Sequence, residues 1–230
     1  MSNANIRNSN GYTFLYATLL IIVVAAALAF ASQVLKPRQE SNMLTEKRLY
    51  VLKAAHLAPD AYTVADRNAY VEKEYQTYIR ETVVPDSLSP NGTSLPLYIC
   101  TLSNGETKFI IPVQGKGLWG PIWGYVALNE DGNTIYGAVF DHKGETPGLG
   151  AEIAQPSFSD PFVGKSLFQD GLFVSLAVKK GGGTANNPHA VDAVSGGTIT
   201  SRGVESMLRE SLTPYVPFIT HQLQNAAGHE

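Results

Sequence analysis

The spacing of hydrophobic positions along this chain changes period twice. Over residues 13–35 they are nearly continuous: TFLYATLLIIVVAAALAFASQVL is 23 positions without a charged side chain. As a helix that run is about 35 Å long, enough to cross a hydrocarbon layer of about 30 Å. Tyr12 and Tyr16 near one end, and Lys36 and Arg38 at the other, are residue types that mark a membrane boundary. Ala29-Phe30-Ala31-Ser32 resembles a small-residue cleavage site. The run is long for a signal peptide, however, and Arg7 is a thin basic start, so an uncleaved anchor is the better reading.

After the anchor the period becomes helical. Residues 42–57 predict a helix carrying Leu44, Val51 and Ala55 on one side, stopped by Pro59. A weaker helix over 66–80 carries Val71, Tyr75, Tyr78 and Ile79, read as packing residues. Residues 86–96 read as a loop.

From residue 97 the spacing turns to strands. Segments 97–102, 107–113, 122–128, 134–140 and 172–178 are short and rich in β-branched and aromatic residues. Turn residues separate several of them, including Asn129-Glu130-Asp131-Gly132. A glycine-rich stretch over 179–187 reads as a mobile loop. A final helix over about 202–212 carries Val204, Met207, Leu208 and Leu212. The predicted class is α+β: an N-terminal tail and single transmembrane helix within 1–36, then one domain over 37–230 with a mainly antiparallel sheet flanked by helices.

Composition adds exclusions. With 230 residues and 44% apolar content the chain can hold a real core, and its net charge of −3 gives no reason to expect nucleic acid as a partner. Cys100 is the sole cysteine, so the chain makes no internal disulfide and no cysteine-ligated cluster; its apolar surroundings read as a buried strand. The charges flanking the anchor, Arg7 before it and Lys36, Arg38, Lys47 and Arg48 after it, place the C-terminal part in the cytoplasm on a positive-inside count.

Three stretches carry candidate chemistry. In DAVSGGTITS (192–201), small residues leave the Thr198 hydroxyl accessible just ahead of a helix whose free N–H groups suit a phosphate. The plainer alternative is a helix start with Thr198, Thr200 or Ser201 as the cap. In DHKGETPGLG (141–150), His142 and Glu145 lack the companions a metal site needs, so no metal is assigned. Gly148 and Gly150 around Leu149 would let backbone approach a flat ligand, or simply form a tight turn. In GKGLWGPIWGY (115–125), both tryptophans sit among glycines and prolines, as core or as the wall of a planar cofactor.

Taken together and in order, the anchor, GKGLWGPIWGYVAL, GETPGLGAEI and DAVSGGTITS resemble the NqrC family, the C subunits of the sodium-translocating NADH:quinone reductases. The resemblance covers nearly the whole chain and implies FMN joined covalently through its phosphate to Thr198. It implies a flavin transferase that installs FMN from FAD, five further subunits in a six-subunit ubiquinone-reducing complex, and an electron carrier that is not a catalyst on its own. Ser195, Gly196, Gly197, Thr200 and Ser201 then surround the phosphate, and Glu145, Thr146, Leu149 and Trp119 lie by the flavin. It also implies a single-pass protein of the bacterial inner membrane with its large domain on the periplasmic side, against the charge count. Gly197 departs from the family pattern, which has alanine there. The nearest alternative is the G subunit of the related Rnf complex; from another class, a membrane-anchored binding module without covalent cofactor.

Overall fold

The computed structural model describes residues 10–227. Arg7, invoked above, lies outside them. The chain divides into two compact units, Met1–Glu46 and Lys47–Glu230.

The anchor and the first amphipathic helix, expected as two segments, are one helix, α1, Asn10–Ala54, with Pro37 inside it. Proline removes one backbone donor, and here the sequences on both sides favour helix strongly enough to continue through it. Within the first unit the apolar run is exposed along its whole length and is, among the described residues, the one helix long and apolar enough to cross a membrane.

The second unit is an α+β domain. Helix α2, Arg67–Tyr78, starts one residue after its expected start because the Asp66 carboxylate caps it, accepting the Ala69 N–H at 3.0 Å. It ends early. Ile79 and Arg80 belong instead to strand β1, Ile79–Val83, which pairs antiparallel with β2, Pro96–Thr101. The segment between them holds two short 3-10 turns. Strands β3, Thr107–Lys116, β4, Pro121–Leu128, and β5, Ile135–His142, complete a five-stranded antiparallel meander in sequence order. The segment expected as one strand over 172–178 is broken, with Ser175 in a left-handed conformation between Leu172–Phe173 and Ala177–Lys179.

Period-two alternation gives the sheet two buried faces. Ile110, Tyr125, Ala127 and Cys100 face Leu49, Leu52, Val71 and Tyr75 from the end of α1 and from α2. Ile111, Val113, Ile122, Val126 and Phe140 face Val204, Met207, Leu208 and Leu212 of α4, Thr198–Leu212, and Phe218 and Ile219 of α5, Val216–Ala227. A one-turn helix α3, Pro156–Ser159, closes this core with an aromatic triad of Phe140, Phe158 and Phe162. Helix α5 was not predicted. The glycine-rich stretch 179–187 is tied down rather than loose: the buried Lys165 ammonium donates to the carbonyls of Thr184, Ala185 and Asn187 at 3.0, 3.1 and 2.7 Å.

This arrangement fixes the site. The β3–β4 turn and the loop after β5 leave the same end of the sheet, since Lys116 pairs with Pro121 and Ile122 with His142. Helix α4 reaches them at Gly203, where a Cβ would fall 2.5 Å from the Lys116 carbonyl oxygen; only glycine lets the helix lie this close.

Candidate functional site

At that end of the sheet the three candidate stretches converge. Leu118, Trp119, Glu145, Thr146, Leu149, Gly150 and the segment Gly196 to Thr200 line a cavity of about 230 Å³. Eight of the ten residues singled out in the sequence therefore share one concavity. Ser195 is exposed beside it, and Ser201 is buried behind it.

Thr198 is the first residue of α4 and not, as expected, a residue just ahead of the helix. The cap position is Gly197, which offers no side-chain cap. The first intrahelical bond runs from the Ser201 N–H to the Gly197 carbonyl at 2.9 Å. The N–H groups of Thr198, Ile199 and Thr200 thus have no acceptor within the helix, and a fifteen-residue helix directs its positive end at the cavity. The Thr198 side chain is half-buried at the rim.

The neighbouring hydroxyls have other partners. Thr200, 2% exposed, donates its Oγ1–H to Oε2 of Glu145. Ser201, 1% exposed, accepts the Val194 N–H at 3.0 Å, which folds the Ser195–Gly197 loop back onto the helix. Thr200 lines the cavity with its hydroxyl committed to Glu145, and Ser201 is not among the lining residues.

Glu145 is the knot. It is 5% exposed, and its Oε1 accepts the Trp119 N–H at 2.9 Å while Oε2 takes the Thr200 hydroxyl. Burial opposes its ionised form. The hydrogen bonds from Thr200, Trp119 and Gly120, with His142 nearby, outweigh that and hold the carboxyl below its ordinary value. Close packing follows from it: a Cβ at Gly150 would lie 2.4 Å from both Glu145 Oε2 and Thr200 Oγ1. Gly150 therefore permits a close approach to Glu145 and Thr200. Gly196 has φ +75, and its missing Cβ leaves room for Leu149.

His142 accepts the Glu145 N–H on Nδ1 at 3.2 Å. The spacing of His142 and Glu145 places them on one backbone turn. The rim is apolar and open: Leu118, Trp119, Leu149 and Ile199 are all exposed, Trp119 by 70%. Trp123, the second indole, sits on β4, away from the cavity.

Sequence comparison adds the relatives. The C subunit of the Na(+)-translocating NADH-quinone reductase from Neisseria meningitidis is 32% identical over 250 residues, covering 93% of this chain and 96% of its own. The chain belongs to this family of C subunits. Among solved structures, the C subunit of the same reductase from Parabacteroides distasonis is 38% identical with a TM-score of 0.70, covering 81% of this chain and 97% of its own. NqrC of Shewanella oneidensis is 26% identical with a TM-score of 0.61, over 78% of this chain and 97% of its own. The family model described as an FMN-binding domain matches residues 117–213. That span begins at the Trp119 turn and ends with α4, so it encloses every residue that lines the cavity.

Proposed function

We propose that this chain is the flavin-bearing subunit of a sodium-pumping NADH:quinone oxidoreductase, with FMN joined by a phosphoester bond to Oγ1 of Thr198. The observation that carries the reading is a half-exposed hydroxyl on the first residue of a fifteen-residue helix, at the rim of a cavity with an apolar mouth. Phosphate at that hydroxyl meets the free N–H groups of the first turn, where the helix dipole favours negative charge. Leu118, Trp119, Leu149 and Ile199 supply an exposed apolar surface for a planar ring. Family membership and the FMN-binding model support FMN as the ligand.

When bound, FMN supplies the electron-carrying chemistry, and the chain supplies seat, charge and solvent exclusion. In maturation by a flavin transferase, the Thr198 oxygen takes the FMN phosphoryl group from FAD; the bond to AMP breaks, and AMP leaves. A tether of this kind keeps the carrier at high effective concentration for the other subunits. We further read residues 1–36 as a single-pass anchor in the bacterial inner membrane and 37–230 as a periplasmic domain within an assembly of six subunits. The relatives' names favour this complex over the Rnf alternative.

The experiment is a denaturing gel of the chain coexpressed with the transferase, viewed by flavin fluorescence, with intact-mass measurement. A fluorescent band that disappears in Thr198→Ala is expected. No attached flavin in the unaltered chain would instead favour a membrane-anchored binding module.

A further inference from the structure

Glu145 is more than part of the cavity wall, because its own loop is fixed from a distance. The Tyr50 hydroxyl, on the last turns of α1, donates to Oδ2 of Asp141 at the end of β5. Oδ1 of Asp141 accepts the His142 N–H at 2.7 Å, Nδ1 of His142 accepts the Glu145 N–H, and Glu145 holds the Trp119 N–H and the Thr200 hydroxyl. All these residues lie in the unit from Lys47 onward. The chain of bonds is continuous from α1 to both walls of the cavity.

We propose that Glu145 is a positioning residue and not a flavin ligand: its carboxylate locks the first turn of α4 to the Trp119 turn, and Tyr50, through Asp141 and His142, sets where it sits. The inference rests on the flavin reading above. Both oxygens of Glu145 already accept bonds from the chain, and as an anion it repels a phosphate at Thr198; neither property suits a ligand of that group. Both properties suit a brace. Thr200 and Trp119 sit on different elements that this one carboxylate joins, and a buried, fully bonded network fixes geometry better than exposed contacts do. The negative charge has a second consequence. A fixed anion beside the flavin disfavours the arrival of an electron, so Glu145 holds the flavin potential down.

Two readouts test this in the full chain in detergent. The first needs no flavin. In Thr198→Ala protein, amide hydrogen exchange at Trp119 should run severalfold faster when Tyr50→Phe is added, since that change touches neither Glu145 nor the cavity lining. Unchanged exchange overturns the proposal and leaves the flavin reading intact. The second uses flavin-loaded protein. Glu145→Ala should lower flavin fluorescence anisotropy and raise the midpoint potential. Glu145→Gln keeps the shape, with its amide oxygen accepting the Trp119 N–H and its NH2 donating to the Thr200 oxygen, and should restore the anisotropy and leave the potential raised. Removing a distant carboxylate in Glu106→Gln should alter neither. A potential equal to that of the unaltered chain in both Glu145 variants overturns the proposal, and unaltered chain without flavin is failure of the Thr198 reading alone.

Discussion

One methyl group at position 150 tests how the cavity is held. Its Cβ would overlap the Glu145 carboxylate and the Thr200 hydroxyl at once, and Glu145 is itself fixed at both oxygens. Gly150→Ala is expected to cost about 1–3 kcal/mol, the range for overpacked sites, and to slow flavin attachment. Gly144→Ala, where nothing lies within 4 Å and φ is not positive, should stay within about 0.5 kcal/mol. Urea unfolding of the two variants makes the comparison. Position 197 behaves differently. A Cβ there would lie 3.0–3.2 Å from Val194 and the Leu149 backbone, and φ is −100. These contacts are tight without overlapping and the Val194 side chain is only half-buried, so Gly197→Ala, which restores the family residue, should retain full flavin attachment by intact mass. Acid should act through Glu145. Its folded pKa is depressed, so its stabilising contribution is present above the ordinary glutamate value of about 4.3 and lost as pH falls through the folded value. The melting-temperature gap between the unaltered chain and Glu145→Gln should be open at neutral pH and close in acid.

At the scale of elements, helix α4 links core to chemistry. Its Val204, Met207, Leu208 and Leu212 are fully buried against the sheet, at the spacing that predicted the helix. Leu208→Ala, about three turns from Thr198, should cost about 2–5 kcal/mol, as for other buried leucines. If the domain still folds at low temperature, the flavin should remain attached, because Leu208 lies outside the cavity lining. Thermal unfolding and gel fluorescence on the same samples check both halves. This helix was legible because its pattern is local. Strand β1 was not: Ile79 and Arg80 continue the helical pattern of α2, and only pairing with Cys100 and Ile99 makes them a strand. The break at Ser175 was hidden for the same reason. The three site motifs could be located in the sequence, but the roles of Thr200, Ser201 and Glu145 could not be separated. Whether a hydroxyl faces a ligand or a buried carboxylate is a tertiary fact, 55 residues apart in the case of Thr200 and Glu145.

For the whole molecule, the proposed anchor makes a prediction about which membrane face carries the domain from Lys47 onward. The basic residues count one way: Lys36, Arg38, Lys47 and Arg48 follow the apolar run, and Arg7 alone precedes it. A positive-inside bias is a statistical preference with small energies per charge, and partners in an assembly of several subunits supply further constraints on one span. Cargo argues the other way. A carrier whose FMN is tethered cannot lose it to an outer compartment, an advantage that matters little in a cytoplasm already supplied with flavin. The second unit is compact in its own right. Its cores are built from residues beyond Glu46. Protease added to intact spheroplasts should therefore digest the domain while leaving a cytoplasmic marker whole, and the fluorescent band should be lost with it. Protection of the domain in intact spheroplasts, with digestion after lysis, would place it in the cytoplasm, and the charge count would then have been the better guide.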